Sequence, residues 1–476
     1  MKKNIIIVIL SCSAIFSACT GDFEEINTHP NQLEDITAGN PLNPTIYALA
    51  RRNTYQARNI TFGLMQVFFR IDDLVDQPYL YDLTPDIGAS FWNDYYKWLT
   101  NINEIEKAAI EDEKPNYQAI ALTLKAYAFS MLTDTFGDIP MEEALNAENG
   151  VFFPEFSKQE DIYQIILDYL EKANELYDSD KGMVYTDDIL FGNDVHKWQK
   201  FTNSLHLRLL LRISDKQNGA YAKMTTMINT PSQYPVFTSN AEDAVLQVTG
   251  EAPNISPWDR SSDFGLFRYY GAFFIDNLNK FNDPRRPVFA TVARGLNDED
   301  YGYIGQPIDI VQNPLPDSIA TASSVQKSLV EEPMIIPMLT YAEVEFIKAE
   351  LAQKGYIADA KEHYENGTRA AIEMWGVEVP DHYFENEFTK YDGTLERIML
   401  QKYYALYLTD YQSWFEHRRT GLPVLPTAST MYNDALMPSR LTYPISSSTM
   451  NSENYKDAVD AMGGDNINVK VWWDID

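Results

Sequence analysis

Apolar residues recurring at steps of three and four limit most strongly what this chain of 476 residues can fold into. Ile162, Ile166, Tyr169, Ala173 and Leu176 follow that spacing, with Glu171, Lys172 and Glu175 on the other side. Tyr117, Ile120, Leu124, Tyr127 and Met131 form a second stripe, ended by Gly137 and Pro140. Trp198, Thr202, Leu205, Leu209 and Ile213 form a third. Only a helix of 3.6 residues per turn places each set on one face.

A fourth signal is a pair. Ala342, Phe346 and Ala349 share one helix, Gly355 stops it, and Ala360, Tyr364, Gly367, Ala371 and Trp375 continue on the next. Small residues let antiparallel helices approach, and the ring fills the groove between them. The spacing of Ala360, Tyr364 and Gly367 is that of the second helix of a tetratricopeptide repeat. Further pairs at about 92–136 and 158–216, and a helix over 394–418, extend the pattern. The expectation is a mostly α-helical fold: a tetratricopeptide-like helix-pair scaffold with long irregular loop insertions.

Two such insertions, about 70–91 and 231–335, lack a helical period and are rich in Pro, Gly, Asp and aromatic residues. Loops this long in a compact domain are usually functional. The chain carries 30 Tyr, 24 Phe and 8 Trp, and many of these rings fall on the two loops. A sugar has apolar C–H faces and a polar rim, so an aromatic plane beside polar side chains suits it. On that reasoning Tyr79, Tyr81, Trp92, Trp258, Tyr269, Tyr301 and Tyr303 are the candidate ligand-binding residues. The competing reading is that such rings are small cores that hold the loops.

Charge excludes some partners. Thirty-eight Lys and Arg stand against 69 Asp and Glu, a formal net charge of -31. A nucleic-acid-binding surface needs the opposite excess. The two cysteines, Cys12 and Cys19, lie in the first twenty residues, so no disulfide framework is expected in the body of the chain. The six histidines form no zinc-binding pair, and no nucleophile elbow or phosphate loop occurs. No catalytic residue, metal or cofactor is expected, and the chain reads as a binder, not an enzyme.

The start of the chain is an address. Lys2 and Lys3 precede the apolar run Ile5–Leu10, which is too short to span a bilayer. Phe16-Ser17-Ala18-Cys19 resembles a lipobox, with Phe16 where Leu is usual. Residues 1–18 are then a lipoprotein signal peptide, and residues 19–476 one mature domain lipidated at Cys19. Acyl chains worth about 0.8 kcal/mol per CH₂ would hold it on a membrane. Asp22, Glu24 and Glu25 follow at once, an acidic run similar to the surface-export signal of Bacteroidetes lipoproteins.

Seven pieces in order then carry a resemblance. They are CTGDFEEIN (Cys19–Asn27), TDTFGDIPMEE (Thr133–Glu143), WQKFTNSLHLRLLLR (Trp198–Arg212), NDPR (Asn282–Arg285), YAEVEFIKAE (Tyr341–Glu350), WFEHRRTGLP (Trp414–Pro423) and VWWD (Val471–Asp474). Together they resemble the SusD/RagB (SusD-like) family of Bacteroidetes outer-membrane lipoproteins; His206 stands where an Arg is common. The resemblance implies four tetratricopeptide-type units and a lipid-anchored, surface-exposed protein of the outer membrane. It also implies a glycan or other nutrient as ligand and a SusC-like TonB-dependent transporter as partner, with the lipoprotein as its lid. Peptide as ligand, or a structural lid that binds nothing, are the alternatives; a surface glycoside hydrolase is disfavoured. No ligand-binding residue transfers by motif.

The same pieces have a physical reading. Arg208 and Arg212, one turn apart, suit bidentate pairing with Glu343 or Glu350. Arg418 and Arg419 precede a Gly-stopped helix end, where positive charge favours the dipole. Asn282–Arg286 reads as a turn with a local Asp–Arg contact, and Trp472 and Trp473 as wedges pinning the tail.

Overall fold

The computed structural model describes residues 37–70, 76–141, 143–252, 254–258, 260–310 and 314–475. The signal segment, Cys19 and the acidic run lie outside the described residues.

From Ala38 on, helices carry the architecture. Helix α1 (Leu42–Gln56) runs straight into a π-turn, Ala57–Thr61. Helix α2 (Ala89–Glu111) buries Phe91, Tyr95, Leu99, Ile102, Ile105 and Ala109 along one face. Pro115 opens α3 (Pro115–Phe136), where its missing N–H costs nothing. Helix α3 is buried on nearly every side and forms the centre of the scaffold. Gly137, at φ +87°, ends it by donating to the Thr133 carbonyl at 2.8 Å.

The next pair is α4 (Gln159–Leu176) and α5 (Val195–Arg212). Asp194 caps α5 by accepting from the Lys197 N–H at 3.1 Å. The short α6 (Ala220–Asn229) follows. The expected pair is α8 (Tyr341–Gln353) and α9 (Ala360–Glu373), with Gly355 at φ +84° in the turn. A Cβ at Gly367 would sit 3.1 Å from the Ala342 carbonyl oxygen and 3.2 Å from the Phe346 ring, so the close approach read from the sequence is real. Helix α10 (Leu395–Ala405), whose partner was not evident in the sequence, packs on both α8 and α9, and α11 (Gln412–Thr420) follows it.

The loop-rich regions are more ordered than the sequence suggested. Region 231–335 contains α7 (Ala272–Phe281), with Phe274, Ile275, Leu278 and Phe281 buried. Strand β2 (Ala244–Val248) pairs antiparallel with β4 (Met334–Leu339). Strand β1 (Phe68–Arg70) pairs antiparallel with β3 (Arg268–Tyr270), which ties the two long regions together. At the end of region 70–91, Phe91 and Trp92 belong to the first turn of α2, not to a loop.

Buried charge locks the helices. Arg208 grips Glu343 at 2.7 and 2.5 Å, as expected. Arg212 does not reach Glu343 or Glu350; it meets Asp134 at 2.8 Å and Glu416 at 3.3 Å. Glu350 instead takes Arg419. Arg418 and Arg419 lie in the last turn of a helix ended by Gly421, as read from the sequence, and there both are buried ion-pair partners. Asp283 and Arg285 pair at 2.8 and 2.9 Å, both fully buried. Trp473 is buried and donates to Asp134 at 2.6 Å, which pins the tail as expected.

Candidate ligand-binding cleft

A cleft of about 550 Å³ opens where the π-turn meets the β1–β3 ribbon. The π-turn presents Arg58, Asn59 and Ile60 to it; such turns are frequent at functional sites. Its floor includes Phe68, and its rim carries Tyr79 and Phe267.

Local sequence explains the placement. Gly63 lets the turn Pro78–Leu80 come close: a Cβ there would lie 2.7 Å from Pro78 Cβ and 2.9 Å from the Tyr79 nitrogen. Tyr79 then stacks on Phe69, with ring centroids 5.0 Å apart and planes at 25°. Phe267 sits at φ +54° just before β3 and is 55% exposed, a large ring held out to solvent beside the cleft. Leu266, next to it, is also exposed.

Arginines supply the polar groups. Arg58 donates to the Phe264 carbonyl at 2.8 Å and to Asn59 Oδ1 at 2.7 Å. Its guanidinium lies 5.0 Å from the Trp258 ring centroid and 6.0 Å from that of Phe264, within cation–π reach. Arg52 pairs with Asp94 and donates to Ser90 Oγ at 3.4 Å. Arg70 and Arg268 face each other across the ladder, and both line the cleft. Asp76 also lines it and accepts from the Thr84 N–H at 2.8 Å. Ring faces beside guanidinium and amide donors give a surface for a molecule with flat apolar faces and a hydroxyl or acidic rim.

The family described as "Starch-binding associating with outer membrane" (SusD-like) matches residues 30–444. The chain belongs to the SusD-like family. That membership supports a nutrient- or glycan-binding role associated with the outer membrane. Among curated proteins no match was found. Among solved structures, a protein described as chitin-binding is 24% identical, with a TM-score of 0.78 over 92% of this chain and all of that one. A SusD homologue from Bacteroides fragilis is 23% identical, with a TM-score of 0.72 over 90% of this chain and 98% of its own. Another, from Bacteroides uniformis, is 24% identical, with a TM-score of 0.74 over 93% of this chain and 100% of its own. At these identities the likeness is one of fold.

In this SusD-like chain the seven candidate rings do not meet at one site. Tyr79 alone lines the main cleft. Trp258 lies behind it, buried edge-on against Tyr55 at 4.6 Å and Phe264 at 5.2 Å, and supports Arg58 from below. Tyr81 is buried, and burial raises its hydroxyl pKa to about 12. Trp92 packs against Phe136 and Tyr443 and borders a separate, shallower cleft of about 310 Å³ with Tyr96, Phe156 and Met450. Tyr269 is half-buried on β3, opposite Phe69. Tyr303 lies half-buried under the Arg286 guanidinium at 4.9 Å, and Tyr301 is exposed near it in sequence.

Cleft residues absent from that set include Phe267, Arg52, Arg58, Arg70 and Arg268. A signal for three of them was present. Arg51–Arg70 holds four arginines and no carboxylate, a basic island in a chain of net charge -31.

Proposed function

We propose that the protein is a lipoprotein tethered through Cys19 to the outer membrane and exposed at the cell surface. It captures a glycan in the cleft between the π-turn and the β1–β3 ribbon and passes it to a SusC-like TonB-dependent transporter. It performs no chemistry on its ligand. Family membership supports the class of function. The observation that carries the site is Phe267, an exposed ring fixed at a left-handed backbone position beside Tyr79 and the cleft arginines.

Phe267 and its neighbour Leu266 stand exposed at the cleft and offer an apolar face on which a flat sugar face can stack. Each stacking contact is worth about 0.5–1.5 kcal/mol beyond area burial, so Phe267, Tyr79 and the arginines together support micromolar to millimolar capture. Weak capture suffices where a transporter follows. Trp258 and Tyr81 act on this site from behind, as supports.

The test is calorimetric titration of the purified mature chain against a panel of oligosaccharides. Phe267→Ala and Tyr79→Ala each weaken binding by about two- to tenfold, on the scale of a lost ring contact; Phe267→Ala does so without lowering the melting temperature, whereas Tyr79→Ala also loses its stack on Phe69. Binding that survives both substitutions, or a panel including peptides in which only a peptide binds, removes this reading.

A further inference from the structure

The cleft beside Trp92 shares no lining residue with the main one. It holds about 310 Å³, within the range of small-ligand sites. Helix α2 supplies Trp92 and, one turn on, Tyr96, with ring centroids 4.9 Å apart. Phe156, the cross-strand partner of Pro140, adds a third ring 6.3 Å from Trp92. Tyr96 donates to the Pro140 carbonyl at 2.5 Å, which ties the helix to that short ribbon. The remaining lining comes from helix α12 (Ile445–Met450) and from Pro154, whose carbonyl accepts from Asn451 at 2.7 Å and Asn454 at 3.2 Å. Both walls are therefore anchored.

The polar groups of this cleft are its distinguishing feature. No charged side chain lines it, in a chain where 22% of residues are charged. Among the described residues, nothing bonds the Asn93 amide, the Ser446 and Ser447 hydroxyls or the Trp92 indole N–H. Trp92 and Ser447 are largely buried, yet those polar atoms are not sealed from solvent. The indole N–H groups of Trp198, Trp414 and Trp473 are, by contrast, all taken by protein acceptors.

Open amide and hydroxyl groups both donate and accept, as sugar hydroxyls do. Half-buried rings beside them suit the C–H face of a pyranose. An apolar side chain placed here would strip water from four polar groups and pair none of them. An ionic ligand would find no counter-charge among the lining residues.

We propose that this cleft is a second sugar-binding site, selective for a neutral sugar. Tyr96 and Phe156 are its apolar platform; Asn93, Ser446, Ser447 and the Trp92 N–H contact the sugar hydroxyls. The inference rests on the reading of the protein as a glycan binder and is independent of the main cleft.

The experiment titrates the full mature chain calorimetrically with neutral trisaccharides of the malto, cello and N-acetylchito series, and with acetyl-Leu-Leu-amide as an apolar probe. A sugar that fits gives two binding events. Phe267→Ala weakens only one of them, and Asn93→Ala/Ser446→Ala weakens only the other, by at least about fivefold. The double variant keeps the parent melting temperature, since neither side chain has a protein partner to lose. On the unaltered chain, the Trp92 indole ¹H–¹⁵N resonance, assigned by its absence in Trp92→Phe, moves as the sugar is added, and it moves equally in Phe267→Ala.

A single event weakened by Phe267→Ala, with the Trp92 resonance still, overturns the second site and leaves the capture site standing. A Trp92 resonance moved by the peptide and by no sugar overturns it as well. A single event weakened only by Asn93→Ala/Ser446→Ala upholds the second site and removes the main one. Absence of binding to every sugar overturns both.

Discussion

Arg419 at the end of α11 and Glu350 on α8 meet through two parallel hydrogen bonds, at 2.8 and 2.6 Å, with both side chains buried. Glu416 sits beside them, reached by Arg419 at 2.8 Å, Lys402 at 2.9 Å and Arg212 at 3.3 Å. The Arg419, Lys402 and Arg212 charges overcome burial and hold the Glu416 carboxyl well below the usual carboxylate range. Glu350, Glu416, Lys402, Arg212 and Arg419 bring four helices, α5, α8, α10 and α11, to one point.

Breaking that point from one side is therefore expensive. Glu350→Gln and Arg419→Met are each expected to destabilise the fold by about 3–5 kcal/mol, because each leaves a buried charge short of its partner. The double variant Glu350→Leu/Arg419→Met should recover much of the loss, since both charges are gone. Denaturant midpoints for the three chains check this; equal stability of the singles and the parent would contradict the ion-pair account.

Gly367 is a contact between helices α8 and α9. Gly367→Leu is expected to cost at least about 1–3 kcal/mol through overpacking against the Ala342 carbonyl and the Phe346 ring. Thermal unfolding reads it directly. A neutral result would mean the two helices are not held at the observed separation.

Trp258 and Trp92 distinguish support from recognition. Both are nearly buried, so Trp258→Ala and Trp92→Ala are expected to lower stability by about 3–5 kcal/mol. Trp258→Phe should keep the fold and loosen Arg58, reducing affinity for the ligand of the main cleft. Trp92→Phe should leave that affinity unchanged, since Trp92 borders the other cleft. The comparison of melting temperature with binding for the two Phe variants separates the roles.

Asp243 gives a pH signature. Burial pushes its pKa up to about 7, Glu242 adds to the rise, and the hydrogen bond from the Tyr341 N–H at 2.5 Å opposes it. A carboxyl raised above its unfolded value near 3.9 binds its proton more tightly in the folded chain. Its stabilising contribution is present in full below about pH 4 and is lost as pH rises through about 7. Asp243→Asn is thus expected to be more stable than the parent at pH 8, and the gap should close toward pH 4. Paired unfolding curves across that window measure the difference; a constant gap would contradict the raised pKa.

The scaffold was legible because helix periodicity and helix contact are the same information. The stripes through Tyr117 and Trp198 became α3 and α5, and the Ala342–Trp375 signal became α8 and α9. Helix α7 was missed although Phe274, Ile275, Leu278 and Phe281 hold a helical spacing, because the aromatic density around it read as loop. That density mostly points inward. Tyr270, Phe274, Phe289 and Tyr407 stack on one another, since a long segment stays ordered only by burying apolar area of its own. The cleft was harder to read: Arg58 and Phe267 are 209 positions apart in sequence and meet through the β1–β3 pairing, which no local pattern announces. The arginines between Arg51 and Arg70 were the available clue.

A crystal structure of the protein soaked with an oligosaccharide that binds it tests the central claim most directly. The account predicts a sugar ring stacked on Phe267 or Tyr79, with its polar edge toward the cleft side chains Arg58 and Asn59. A sugar seated instead in the Trp92 cleft, or on Tyr301 and Tyr303 with the main cleft unfilled, would contradict it.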